Sequence, residues 1–332
     1  MNHIQSTLSQ LNLGQAQSFA NMTLFPLITA YTAPPDYLVL EEALAQQVGK
    51  ITEISEGGSV PELAFENNAR ARVLLVDGEQ LIGARQNRIL NISILVPARK
   101  KLTIPVSCCE QGRWGYTGGR AFSSSDSSLF SSAKARKMMQ VSASMKRRGD
   151  RRSDQGEIWR DIAMKSASLG VHSGTGAMED VYAQQKQRLE GYTAAFKLVP
   201  DQSGAVVAQD GSVVGLELFD SPATFARFFD KLLKSFALDA IDTPQPVDAV
   251  PAADIAHDFI ARLMASSAET FAALGDGEDM RLQGADVVAG ALVADGRVRH
   301  LAGFRTAGLD EESASWRARK VHSQRFGPDG GR

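Results

Sequence analysis

Residues 77 to 116 read DGEQLIGARQNRILNISILVPARKKLTIPVSCCEQGRWGY and contain Glu79, Arg85, Gln86, Asn87, Arg88, Asn91, Cys108, Glu110, Gln111, Arg113 and Trp114. These polar groups lie between runs that read as buried β-strands, which places donors and acceptors beside apolar walls. Glu79 and Glu110 are candidates for a general acid and base, a chemistry that needs two carboxyl groups whose surroundings separate their pKa values. They read equally well as buried carboxylates neutralised by Arg85, Arg88 or Arg113. Cys108 is a candidate nucleophile, but no His lies near it in sequence and Glu110 would raise a thiol pKa; a small core residue is the plainer reading. Gln86, Asn87, Arg88 and Asn91 carry amide and guanidinium groups suited to the hydroxyls or phosphates of a small ligand, or else they brace a loop. Glu110 ranks ahead of Cys108, because burying a thiol on an apolar strand face costs little and burying a carboxylate costs much.

Other chemistries find less support. Cys108 and Cys109 are adjacent, and Cα atoms about 3.8 Å apart are too close for ordinary disulfide geometry. The histidines are scattered at His3, His172, His257, His300 and His322, without zinc-ligand spacing, so the sequence points to no metal and no cofactor. His300 is the one histidine inside a strand-like run, where a satisfied structural role is the simplest reading. The dinucleotide and P-loop glycine fingerprints are absent. GVHSGTGAMED, from Gly170, has Glu179 and Asp180 where an anion would sit, and reads as a connector. The basic run Lys134 to Arg152 lacks interleaved aromatics, so it reads as a solvated helix face and no specific nucleic-acid partner is expected.

The elements that must position these residues follow from periodicity. NMTLFPLI supplies the first strand, over 22–28, after a peripheral N-terminal arm. A short helix from Leu40 is expected to stop at Gly49, followed by the strand ITEIS and a turn at Gly57-Gly58. ELAFE, RVLLV, EQLI, RILNISILV and KLTIPVS read as successive strands of an antiparallel, hairpin-rich sheet. Period two along the last places Leu102, Ile104, Val106, Cys108 and Glu110 on the apolar face and Cys109 on the more polar one. GGRAFSSSDSSLFSS reads as an exposed loop before a helix over 133–146. Asp154 and Glu157 form a capping-box-like start for a helix that ends near Gly170. Val181, Leu189, Tyr192 and Phe196 mark a second helix. Asp77-Gly78, Asp210-Gly211 and Asp295-Gly296 are each expected to turn a hairpin. Phe225, Phe228, Phe229, Leu232, Leu233 and Phe236 form one stripe of a helix that starts at Ser221-Pro222. The linker TPQPVDAVP precedes another helix around Phe259, and a loose tail follows residue 306.

These elements specify an α+β fold, an antiparallel hairpin-rich β core with a helical segment packed on it. One domain is expected over 20–305: a β-rich core over 20–116, a helical segment over 133–196, and hairpin-helix units over 205–240 and 252–305. The chain has 332 residues, 43% of them hydrophobic, a formal net charge of -2 and a pI near 6.2, which suits a globular protein without global attraction to nucleic acid or anionic membrane. No apolar run approaches a membrane span and no leader pattern follows Met1, so a cytoplasmic location is expected.

The words DGEQLIGARQNRILN, IPVSCCEQGRW and RSDQGEIW, in this order, resemble the prokaryotic family named the ARG and rhodanese-phosphatase-superfamily-associated domain. VVGLELFDSPATFARFFDKLLKSFALDA, GEDMRL and VRHLAGF also look like family words. The resemblance implies a gene-neighbourhood link to ADP-ribosylglycohydrolases and rhodanese-like phosphatases, hence to ADP-ribose or nucleotide metabolism, with no reaction to carry over. It adds Asp154, Gln155 and Trp159 to the motif positions Glu79, Gln86, Asn87, Arg88, Asn91, Cys108, Glu110, Gln111, Arg113 and Trp114. Two residues depart from the pattern: Arg85 stands where Lys is expected and Cys109 where an aliphatic residue is, so Cys109 is not a required nucleophile. The expected function is an enzyme or sensor of a small ribose- or phosphate-bearing metabolite, and the alternative is a non-catalytic interaction module with a structural polar core.

Overall fold

The computed structural model describes residues 3–55, 58–115, 122–242 and 250–309. The chain opens with α1 (His3–Ser9), β1 (Asn12–Leu13), β2 (Gln17–Phe19) and β3 (Met22–Ile28). The arm is not peripheral: Ile4 and Leu8 are buried one turn apart on α1 and join an apolar cluster with Phe25 and Leu27 of β3. Next come β4 (Tyr37–Val39), α2 (Leu40–Ala45) and β5 (Gly49–Glu53). α2 ends earlier than Gly49. Gln47 takes the left-handed conformation at φ 57, with Val48 N–H on Ala43 O at 2.9 Å and Gln47 N–H on Leu44 O at 3.0 Å, a Schellman closure without glycine.

The central strands are β6 (Glu62–Asn67), β7 (Arg72–Leu75), β8 (Glu79–Gly83), β9 (Arg88–Leu90), β10 (Ile94–Val96), β11 (Lys101–Cys108) and β12 (Phe122–Ser128). The expected single sheet is two. One runs β12-β8-β9-β11-β6-β5 and the other β10-β7-β4, where β4 lies parallel to β7. RILNISILV is split between them, because the chain turns at Asn91 to Ser93 and leaves one sheet for the other. The serine-rich segment is also not a loop from Phe122 on: β12 pairs with β8, and Ser125, Ser127 and Ser128 are buried. The first residues of that expected loop, 118–121, like Tyr116 and Gly57, lie outside the described residues.

α3 (Ser131–Arg148), α4 (Gln155–Ser168), α5 (Met178–Gln184) and α6 (Lys186–Ala195) form the helical segment. α3 starts at Phe130 with no capping side chain of its own. Asp239 supplies the acceptor instead, receiving Ser132 N–H at 2.8 Å and Ser131 Oγ–H at 2.6 Å. Asp154 caps α4 through Glu157 N–H at 3.1 Å. The single helix expected through Phe196 is broken at Gln185 into α5 and α6.

The rest comprises β13 (Gln202–Gln209), β14 (Ser212–Phe219), α7 (Pro222–Ala240), α8 (Asp254–Ala265), β15 (Ser267–Ala272), β16 (Glu278–Gln283), β17 (Val287–Ala294) and β18 (Arg297–Arg305). Residues 243–249 of the proline linker and the tail from 310 lie outside the described residues. A nine-stranded sheet runs β1-β3-β13-β14-β18-β17-β16-β15, with β2 on β3. Both faces are covered. Along β13, Ala205 and Val207 pack with the phenylalanine stripe of α7, while Val206 and Ala208 pack with Phe259 and Leu263 of α8. Burial on both sides removes the apolar and polar alternation of a half-solvated sheet and gives continuous apolar runs. A third apolar cluster lies within the two smaller sheets, from Leu40 to Met145.

Two of the three Asp-Gly turns close hairpins. Asp210 and Gly211 take φ 49 and 76, and Asp295 and Gly296 take φ 52 and 71, joining β13 to β14 and β17 to β18. Asp77-Gly78 turns the chain between β7 and β8, which belong to different sheets. Gly78 has φ 82, and a Cβ there would collide with the Lys134 side chain, whereas nothing lies within 4 Å of a Cβ at Gly211. Gly211→Ala therefore carries only the left-handed penalty of about 1–2 kcal/mol. Gly78→Ala should cost more than that in urea unfolding, and equal losses would show that Lys134 moves aside freely.

Candidate functional site

β8 and β9 are joined only by the registers Gln80↔Ile89 and Leu81↔Arg88; Ile82 and Gly83 pair instead with β12, and 84–87 form the connecting loop. Asn87 closes it: Oδ1 accepts from Gly83 N–H at 3.2 Å and from Arg113 Nη2 at 3.0 Å. Cys108 pairs with Arg88 at the end of β11, and the next residues bridge to the α4–α5 connection through Glu110↔Ala177. Glu110 binds three segments. Its Oε2 pairs with Arg113 Nη2 at 2.6 Å and accepts from Asn87 N–H at 3.2 Å, and Oε1 accepts from Thr175 Oγ1 at 3.0 Å. Burial pushes its carboxyl up, but the Arg113 and Asn87 donors outweigh that and hold it below the usual carboxylate range.

Arg88 is the unusual group. It is 0% exposed, and although Nη1 donates to Gln86 Oε1 at 3.1 Å, its Nε and Nη2 are buried without a hydrogen-bond acceptor. Gln86 in turn donates to Glu110 O at 3.1 Å. The Arg88 and Arg85 guanidinium carbons lie 5.8 and 5.6 Å from the centroid of Trp114, a ring that is 48% exposed. Cys108 lies against the same group. Its Sγ accepts from Glu110 N–H at 3.4 Å, and burial pushes the thiol up more than Arg88 and Trp159 lower it, so it stays protonated at neutral pH. The buried Nε1 of Trp159 points its N–H toward this sulfur, which is how it lowers the thiol. Cys109 packs in the main apolar core, so the predicted assignment of its face to the polar side is reversed: the strand ends at Cys108 and the chain turns.

The remaining candidates divide between braces and surface. Gln155 clamps the Cys108 peptide with both ends of its amide, Oε1 accepting N–H and Nε2 donating to O, each at 2.8 Å. Asn91 Nδ2 donates to Arg151 O at 3.0 Å and its Oδ1 accepts from Ser107 Oγ at 2.7 Å, fixing the α3–α4 connection. Arg113 also donates to Ala84 O at 2.9 Å. Gln111 is exposed.

Glu79 is elsewhere. It sits at the far end of β8 from Gly83, roughly 13 Å along a strand rising about 3.3 Å per residue. There its Oε2 accepts from Val76 N–H at 2.8 Å and its Oε1 lies 3.4 Å from Lys231 Nζ. Burial pushes the Glu79 carboxyl up, with Lys231 opposing. The expected acid and base pair is therefore two separate ion pairs. Arg113 neutralises Glu110 as one of the foreseen alternatives, while the partner of Glu79 is a lysine more than a hundred residues away in sequence.

Sequence reasoning missed a second cluster, because the run that supplies it looks like a solvated face. Lys134 and Lys137 are 1% and 0% exposed. Lys134 Nζ meets Glu217 Oε1 at 2.6 Å. Lys137 Nζ pairs with Asp77 and donates to Leu90 O at 3.1 Å and Asn91 O at 3.0 Å, which uses all three of its protons. Burial lowers the Lys137 pKa against the pull of Asp77. Asp77 is thus more than a turn residue. His300 joins the same cluster, with Nε2 2.8 Å from Glu217 Oε2 and Nδ1 2.7 Å from Ser93 Oγ. The available signal was spacing: residues three apart on a helix share a face, and that face also carries Met138 and Val141. Among the described residues no group of three or more His, Cys, Asp or Glu gathers as a metal site, and no helix is long and apolar enough to cross a membrane.

An α+β protein with antiparallel sheets and a polar cluster at the end of β11 is what fold and site define. The chain belongs to the ARG and Rhodanese-Phosphatase-superfamily-associated Protein domain family, whose model matches residues 10–304. No curated protein and no solved structure matches it.

Glu110→Gln should cost roughly 3 kcal/mol at neutral pH, since Arg113 is left without its countercharge. Because the folded pKa is depressed, this contribution is present above the ordinary carboxylate value and fades as pH falls through the lower folded one. Urea melts of both proteins should converge in acid, and a gap that stays constant would show that charge is not its cause. Cys108→Ala should lose only about 1–2 kcal/mol at either pH.

Proposed function

We propose that this chain binds a small phosphate-bearing metabolite at the Arg88 and Trp114 edge of the β8–β9 loop, as a sensor or an enzyme. The reading rests on one observation, a fully buried guanidinium with two nitrogens, Nε and Nη2, that have no protein acceptor. Such a group costs several kcal/mol unless an anion meets it, and the guanidinium fork matches phosphate oxygens. The half-exposed Trp114 ring offers a face for a planar base or a ribose. Glu110 orients rather than reacts, because Arg113, Asn87 and Thr175 already fill its oxygens. The association in the family's name favours an ADP-ribose or nucleotide ligand.

A non-catalytic interaction module is the second reading. What favours it is that the polar groups of Glu110, Asn91 and Gln155 are satisfied within the protein, as in a structural core.

Thermal melts with ADP-ribose, ADP and inorganic phosphate separate the two. A ligand at a hundred times its Kd adds about 2.7 kcal/mol to apparent stability. Trp114→Ala should keep the fold and weaken the response to ADP-ribose more than that to phosphate. Arg88→Met should abolish both responses while leaving stability unchanged or higher, since it removes an unpaired buried charge. No shift of the wild-type chain with any of the three ligands rejects the proposal in favour of the module.

A further inference from the structure

A serine, a histidine and a carboxylate from three strands or turns fall into line beneath the nine-stranded sheet. Phe219↔His300 and Glu217↔Ala302 are registers of β14 and β18, so Glu217 and His300 are diagonal neighbours on one face. Ser93 comes from the turn between β9 and β10. Its Oγ lies 2.7 Å from His300 Nδ1, and His300 Nε2 lies 2.8 Å from Glu217 Oε2. Lys134 holds the other carboxylate oxygen at 2.6 Å.

The hydrogen bonds can be ordered. Burial pushes the Glu217 carboxyl up, but Lys134 and His300 outweigh it and hold it below its usual range, so the carboxylate accepts and the ring donates to it from Nε2, which puts the lone pair of the unprotonated imidazole on Nδ1. Nδ1 is then an acceptor and receives the Ser93 hydroxyl proton. Ser93 Oγ itself accepts Asp77 N–H at 2.9 Å, which leaves the oxygen aligned for transfer to the imidazole. This is the order nucleophile, base, orienting carboxylate that activates serine in general, here with the two ring nitrogens exchanged.

A cavity of about 10 Å³ adjoins them, lined by Ser93, His300, Asp77, Asp279, Arg281 and Gly290 among others. It has room for one water or one oxygen atom, the size of an oxyanion site rather than of a substrate pocket. Arg281 is buried, donates to Asp279 from Nη2 at 2.9 Å, and leaves Nη1 without an acceptor. Nη1 lies at the wall formed by Gly290, where a Cβ would come within 2.8 Å of it. Ser93 itself is half-buried.

We propose that Ser93 is an activated nucleophile for acyl transfer from small carboxylic esters, with His300 as its base and the free Arg281 N–H as the donor for the developing oxyanion. Oγ bonds to the carbonyl carbon while its proton passes to His300 Nδ1. The ester C–O bond then breaks and His300 returns the proton to the leaving alkoxide. Water, deprotonated by the same imidazole, cleaves the acyl-serine and restores the hydroxyl. Glu217 is a positioning residue that fixes the ring. An ester fits better than a phosphoryl group, because Asp77 and Asp279 also line the cavity and would repel a substrate that arrives with two charges. The inference does not depend on a ligand at Arg88.

The test treats the full folded chain with a fluorophosphonate and maps the adduct by peptide mass spectrometry, alongside p-nitrophenyl acetate hydrolysis. One adduct on Ser93 of the wild type, lost on unfolding in urea, together with ester turnover reduced at least about 100-fold in Ser93→Ala, is the expected result. The wild-type map needs no variant, so a misfolded Ser93→Ala leaves the test intact. Absence of an adduct, an adduct on another residue, or an equal rate from a Ser93→Ala chain of unchanged melting temperature overturns the proposal.

Discussion

Two lysines buried on one face of α3 set the terms for the packing around them. Lys134 reaches Glu217 in the nine-stranded sheet and Lys137 reaches Asp77 at the β7–β8 turn, so one helix bolts two sheets together through charge. Neither ammonium could be buried alone, since a stranded charge costs about 3–5 kcal/mol. The backbone follows from this requirement. The chain passes so close to Lys134 that a Cβ at position 78 would meet its side chain, and α3 starts where Asp239 can cap it. Ion pairs of this kind add little net stability over a well-packed apolar pair, but they fix which helix meets which strand.

Much of the architecture was legible in sequence because it rests on local rules. Strand-like apolar runs found β3 and the central strands, the Asp-Gly turns found both late hairpins, and the phenylalanine stripe found α7. The failures have physical causes. Ser125, Ser127 and Ser128 are small enough to be buried on a strand, so a serine-rich run was mistaken for a loop. Gln47 accepts a positive φ that glycine would have signalled. β15 and β16, with SAETFA and EDMRLQ, lack the β-branched runs that mark strands and form because β17 pairs with one of them.

The candidate site was located better than it was divided. Arg88, Cys108, Glu110, Arg113 and Trp114 do converge, since β9 and β11 pair at Cys108↔Arg88. Glu79 shares their stretch of chain but not their place in space, because a strand carries its two ends far apart. Lys134, Lys137 and His300 could not be assigned from one sequence. Their partners lie 46 to 207 residues away, and a lysine on an amphipathic helix is normally in water.

The pairing of β3 with β13 has a bearing on how the chain is made. Residues 22–28 hydrogen-bond to residues 202–209, and everything that builds the two smaller sheets lies between them. On the ribosome, at about 5–20 residues per second, β3 waits roughly ten to thirty seconds for its main neighbour to appear. The smaller sheets draw only on residues up to 128, so they are free to close first, with α3 emerging next and carrying both lysines. During that interval the apolar strand MTLFPLI has β1 and β2 beside it but lacks its long neighbour, so one edge and much of the apolar surface that the finished protein buries stay uncovered.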